Sequence, residues 1–120
     1  MNKRKTGAGY EEYAARYLQA AGCRILERNF RCRQGEIDII AWDPAAVRPC
    51  LIFVEVKYRK DARTGHPEEA VTAQKQRAIL SAAEFYLVRN HIDTDVPCRF
   101  DVIAIEGGEL RHIPDAFQAG

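Results

Sequence analysis

The chain has little of several things, and each shortage excludes something. It has no apolar run approaching the ~18 residues that cross a bilayer; its longest stretches resemble Leu51-Ile52-Phe53-Val54. The first residues, Met-Asn-Lys-Arg-Lys followed by Thr, Gly and Ala, contain no apolar segment of signal-peptide type. The expectation is a cytoplasmic protein with no membrane association. Only four cysteines occur (Cys23, Cys32, Cys50, Cys98), none in a CxxC pair, and the three histidines (His66, His91, His112) are not spaced to join them as zinc ligands. Reduced, partly buried thiols are expected, without structural zinc. Repeats, low-complexity tracts and Gly/Ser linkers are absent.

What is present fits one globular domain over residues 1–120, with 47% hydrophobic and 29% charged residues. Such a chain hides roughly two-thirds of its unfolded surface. The net charge is only +1, but it is unevenly distributed. Residues 1–63 carry thirteen Lys/Arg against eight Asp/Glu, and residues 64–120 carry five against nine. One basic side facing a polyanion is one reading of that asymmetry; ordinary solvated charge is the other.

Tyr10 to Ala21 has Tyr10, Tyr13, Ala14, Tyr17, Leu18 and Ala21 at helical spacing, and Gly22 ends it. Strands are expected over Cys23–Arg33, Glu36–Trp42 and Leu51–Tyr58, with a turn at Gln34-Gly35 and a loop from Pro44 to Pro49. Pro67, followed by Glu68-Glu69, opens a second helix running to Asn90, its buried stripe being Val71, Ala78, Ile79, Ala82 and Tyr86. Arg99–Ile105 forms a fourth strand, turned by Gly107-Gly108 into a short Leu110–Ile113 strand. The expected architecture is α/β: an αβββαβ core, a mixed sheet flanked by helices, and a C-terminal β-hairpin.

Two of these strands hold charges where apolar residues are usual. Alternation puts Leu51, Phe53, Glu55 and Lys57 on one face of the third strand, and Ile52, Val54, Val56 and Tyr58 on the other. In the second strand, Glu36, Asp38, Ile40 and Trp42 share a face, with Ile37, Ile39 and Ala41 behind. If Trp42 lies opposite Leu51, then Ile40 meets Phe53, Asp38 meets Glu55, and Glu36 meets Lys57, with Cβ atoms ~5 Å apart. Two carboxylates so placed repel unless a cation compensates them. Oxygen-only donors suit Mg²⁺ or Mn²⁺. With Lys57 to orient water or stabilise phosphate charge, the set is that of a metal-dependent phosphodiesterase. A cross-strand salt-bridge network at a sheet edge would use the same residues.

Gly35-Glu36-Ile37-Asp38-Ile39-Ile40-Ala41 and Phe53-Val54-Glu55-Val56-Lys57-Tyr58-Arg59 closely resemble the YraN-like uncharacterised protein family, itself similar to Holliday-junction resolvases of the PD-(D/E)XK nuclease superfamily. Ala14-Ala15-Arg16-Tyr17-Leu18, Arg28-Asn29-Phe30-Arg31, Gly65 with Pro67, Ala70-Val71 with Lys75, and Phe100-Asp101-Val102 extend the resemblance over nearly the whole chain. It implies a restriction-endonuclease-like fold, Asp38 and Glu55 as metal ligands, Lys57 as the catalytic lysine, and Glu11 as an additional acid, with Glu12 the alternative. Tyr10 stands where that family more often has Gly. The implied activity is Mg²⁺-dependent (or Mn²⁺-dependent) cleavage of structured or branched DNA, with RNA or single strands as other substrates.

Arg31, Arg33, Arg59, Lys60 and Lys75 flank the site in sequence as candidate phosphate contacts. Glu36 is a candidate partner for Lys57, and Asp101 a structural acceptor. Trp42 and Tyr58 are candidates for base stacking, and His66 for acid–base work. The rival reading is a non-cleaving adaptor for nucleic acid or protein. A homodimer through the sheet edge or the long helix is a further expectation.

Overall fold

The computed structural model describes residues 8–59 and 71–118. Lys60, Gly65, His66 and Pro67 fall outside them. The order is α1 (Ala8–Ala20), β1 (Arg24–Cys32), β2 (Gly35–Asp43), β3 (Cys50–Arg59), α2 (Ala73–Arg89), β4 (Cys98–Glu106) and β5 (Glu109–Phe117). The five strands form one sheet in chain order. β3 and β4 pair parallel across the α2 crossover; the other neighbours are antiparallel. The expected α/β architecture with a mixed sheet and terminal hairpin is found.

Each face of the sheet is covered by a helix. On the α2 side Phe30, Ile37, Ile40, Leu51, Phe53, Phe100 and Val102 pack against Ile79, Ala82, Ala83 and Tyr86. On the α1 side Ile39, Ala41, Ile52, Val54 and Ile103 pack against Ala14, Ala15 and Leu18. Each strand of the sheet centre therefore has two apolar faces, which explains why Leu51–Val54 reads as an unbroken apolar run.

The second helix begins later than its acidic Pro67-Glu68-Glu69 segment suggests. Thr72 is extended (φ −65°, ψ 163°), and its hydroxyl accepts from the Lys75 amide, an N-cap for a helix starting at Ala73. Val71 accordingly belongs to the core but not to the helix. Close approach of α2 to the start of β2 requires glycine: a Cβ on Gly35 would lie 2.9 Å from the Ala78 carbonyl oxygen.

Two further expectations are corrected. β5 extends well past Ile113, carrying Pro114 on a sheet edge where a missing donor is tolerated. Strict alternation in β2 also fails. Ile37 packs on the α2 side with Ile40, while Ile39 and Ala41 face α1. The break falls at Asp38, across from Asn29, whose φ of 53° interrupts β1 between the Arg28–Ile39 and Phe30–Ile37 pairs.

Candidate active site

The break in β2 sets the geometry of the charged end of the sheet. β2 and β3 pair as expected at Trp42–Leu51 and Ile40–Phe53, but their ladder ends at Ile39–Val54. Asp38 does not pair with Glu55 through the backbone, nor Glu36 with Lys57. Instead the Val56 amide donates to the Asp38 carboxylate at 2.8 Å, so a side chain takes over where the ladder stops. Glu36 lies opposite Arg31 on β1 and forms an exposed, loose ion pair with it (3.7 Å).

The Asp38 carboxylate nonetheless acts on Glu55. Glu55 is only 5% exposed. Burial, then the nearby Asp38 carboxylate, pushes its carboxyl up to about 7, against the pull of Lys75 and Lys57. Burial likewise raises Asp38, opposed by the Val56 amide and then by Lys75. Lys57 and Lys75 approach the same Glu55 oxygen, each at 3.5 Å. Both ammonium groups remain partly exposed, so each can also meet a ligand from solvent.

Lys75, expected among the phosphate contacts flanking the site, is placed beside Glu55. It occupies the third position of α2, where capping boxes carry Glu or Gln and the helix dipole disfavours a cation. Its proximity to Glu55 accounts for that exception.

From the other side of the sheet, the first turn of α1 supplies Glu11. Burial and then the Asp38 carboxylate raise its carboxyl, opposed by Arg28 and Asn29. Glu12 points elsewhere, to Arg28 at 2.6 Å and Arg16 at 2.9 Å, and these partners hold it below the usual carboxylate range. Of the two helix acids, Glu11 is the one beside Asp38.

The flanking basic residues divide. Arg31 and Arg33 are exposed. Arg59 is tied to β4: its Nη2 and Nε donate to one Glu106 oxygen at 2.7 and 3.1 Å, fixed by the Arg59–Glu106 pairing. Trp42 is half-buried against the α2-side core. Tyr58 is 41% exposed and stacks on Tyr10.

Asp101 forms a separate, closed network. It is fully buried and accepts from Arg99 at 2.8 and 2.9 Å, from the Asp115 amide at 3.0 Å, and meets His112 Nε2 at 2.7 Å. His112 Nδ1 in turn lies 3.0 Å from the Tyr17 hydroxyl on α1. Burial pushes the Asp101 carboxyl up, but His112, Arg99 and the Asp115 amide together outweigh it and hold the carboxyl below the usual range. Every partner here is part of the protein, consistent with the expected structural role.

Among the described residues, no three His, Cys, Asp or Glu side chains are gathered closely enough to hold a metal ion by themselves. One buried and one partly buried carboxylate suffice for Mg²⁺, which keeps several waters and takes one or two protein carboxylates. The donors are oxygens only; burial raises both acids, and the Asp38 carboxylate raises Glu55 further. A divalent cation would relieve both effects, so Asp38 and Glu55 fit such an ion. A hollow of about 650 Å³ on the outer side of α2, lined by Phe85, Val88 and Ile92, includes none of these groups. No helix among the described residues is long and apolar enough to cross a membrane.

Comparison with known proteins agrees with the sequence resemblance. Residues 10–105 match the model of the Uncharacterised protein family UPF0102. A UPF0102 protein of Lachnoclostridium phytofermentans is 49% identical, over 99% of this chain and 98% of the relative. One from Symbiobacterium thermophilum is 46% identical, over 97% and 98%. One from Pectobacterium carotovorum subsp. carotovorum is 43% identical, over 98% and 97%.

Proposed function

We propose that this chain, which belongs to the UPF0102 (YraN-like) family, is a divalent-metal-dependent endonuclease acting on structured or branched DNA. The observation that carries the reading is the pair Asp38 and Glu55. They are two raised carboxylates at the end of a sheet, with two partly exposed lysines converging on one of them. A closed salt-bridge network would have its charges matched, as around Asp101. Here the acids remain raised despite both lysines.

In this reading Asp38 and Glu55 hold Mg²⁺ or Mn²⁺. The bound ion supplies Lewis-acid polarisation of a phosphodiester and a more acidic water. The Val56 amide fixes the Asp38 carboxylate by donating to it. Lys57 and Lys75 neutralise Glu55 and present ammonium donors to phosphate oxygens. Glu11 adds a third acid, able to take up a proton near Asp38. Arg31 and Arg33 are exposed for phosphate contact. Arg59 positions the end of β3 through Glu106.

The test is calorimetric titration of Mg²⁺ and Mn²⁺ into wild type and Asp38→Ala, alongside cleavage of labelled four-way-junction, flap, duplex and single-stranded DNA. Metal binding and cleavage are expected in wild type and lost in the variant. Equal cutting by both proteins would refute the assignment. The near-neutral net charge of +1 favours one second reading, a non-cleaving adaptor on the same fold. Absence of metal binding in wild type would select it. A homodimer belongs with either reading: exposed Leu26, Phe85 and Val88 border two hollows that share Ile92. Sedimentation velocity showing a monomer at all concentrations would remove it.

A further inference from the structure

Beside the carboxylate site lies an aromatic pair that the proposed chemistry does not use. Tyr10, in the first turn of α1, and Tyr58, near the end of β3, stack with ring centroids 4.1 Å apart and planes at 13°. The stack is not part of either apolar core, and Tyr58 remains 41% exposed. Each ring adjoins a site residue in the chain: Tyr10 precedes Glu11, and Tyr58 follows Lys57. Alternation along β3 places Tyr58 on the α1 side of the sheet, while Glu55 and Lys57 face α2. The rings and the ammonium groups thus flank one sheet end from opposite sides.

An exposed, pre-stacked aromatic pair next to a phosphate-directed site has the composition of a nucleobase platform, in which the bases supply stacking and the backbone supplies charge. Building on the proposed function, we infer that Tyr58, backed by Tyr10, is a base-stacking subsite that selects nucleic acid with an unpaired nucleotide beside the attacked phosphate. Within a duplex each base already stacks on its neighbours and cannot reach the rings. A branch point, flap or single strand offers a free base. The two rings are already parallel before the substrate arrives, so little ordering is required on binding.

The test compares wild-type binding, in EDTA so that no cleavage occurs, to a fluorescent dT 12-mer and to the same 12-mer with abasic sites throughout. Both carry the same phosphates, so electrostatic attraction cancels. Stacking of one base corresponds to roughly fivefold to 150-fold tighter binding of the dT strand. Tyr58→Leu is expected to abolish the preference, and Tyr58→Phe to keep it. Circular dichroism checks that both variants are folded, and Tyr10→Leu substitutes if Tyr58→Leu is not.

Equal wild-type binding of the two strands overturns the subsite and leaves the proposed function standing. A preference that survives in folded Tyr58→Leu also overturns it, reducing the rings to a clasp between α1 and β3. If neither strand binds, the subsite is overturned. Retained Mg²⁺ binding by calorimetry then preserves the metal reading, and its absence brings that down as well.

Discussion

Replacing Glu55 by Gln should make the metal-free protein more stable at neutral and alkaline pH, although it removes a charge that two lysines approach. Burial and Asp38 lift the Glu55 carboxyl from an ordinary 4.5 to about 7 in the folded chain. At 1.36 kcal/mol per pH unit, ionising it in place costs on the order of 3 kcal/mol, already net of attraction to Lys57 and Lys75. Because the folded value is the raised one, wild type loses stability as pH climbs from about 4.5 to about 7. Above that the loss is constant; below about 4 it is absent. Glutamine keeps the shape and removes the proton equilibrium. The variant should therefore match wild type at pH 4 and exceed it at pH 8 by about 1–3 kcal/mol. For a chain of this size that is roughly 4 to 12 °C in Tm. Thermal melts in EDTA from pH 4 to pH 8 measure the gap. Repeating them with Mg²⁺ should raise wild type alone, by about 2.7 kcal/mol at a hundredfold excess over Kd. A gap that is flat across this range, or a variant less stable at pH 8, would refute the argument.

Asp101→Asn should have the opposite effect, losing about 1–3 kcal/mol in urea denaturation at pH 7, since it weakens the hydrogen bonds to Arg99 and His112 and leaves Arg99 only the looser Asp43 carboxylate. The Asp101 carboxyl is held low in the fold, so its contribution is present at neutral pH and is lost as pH falls through its folded value. A loss under 1 kcal/mol at pH 7 would contradict this account of the network. Gly35→Ala should lower stability by about 1–3 kcal/mol through the 2.9 Å approach to the Ala78 carbonyl oxygen. A thermal melt unchanged from wild type would show that α2 shifts freely.

The apolar pattern carried the sheet and half of the site. Alternation in β2 and β3 fixes Trp42 against Leu51 and Ile40 against Phe53, because sliding by one residue would turn every side chain to the other face. The same reasoning misplaced Glu36 and Lys57, since it assumed that the ladder runs to the strand ends. What stops it is the Asp38–Val56 hydrogen bond, a choice between side chain and backbone that no periodicity records. Ile37 changes face because of the left-handed backbone at Asn29 on a different strand. Pro67-Glu68-Glu69 resembled a helix start, yet Thr72-Ala73-Gln74-Lys75 held the true cap, with a lysine where that motif prefers an acid. That misfit was the one available sign that Lys75 answers a charge elsewhere. Arg59's commitment to Glu106 depends on the parallel β3–β4 register, which a crossover of this length leaves unspecified in sequence.

The parallel pairing also sets the order in which the molecule can be made. β1, β2 and β3 join through short local turns, whereas Leu51 meets Cys98 and Arg59 meets Glu106 only after α2 has been laid down between them. A chain emerging from its N-terminus therefore builds the Asp38/Glu55 pair first, and Lys75 joins it afterwards. Until β4 arrives, β3 presents a long apolar edge, Leu51 to Val54, with its backbone unpaired on that side. Non-local pairing of this kind is slow to form, and the waiting edge is a template for wrong partners. A chain ending after α2 would keep that edge open permanently, so the C-terminal hairpin protects the sheet from association with other chains during folding.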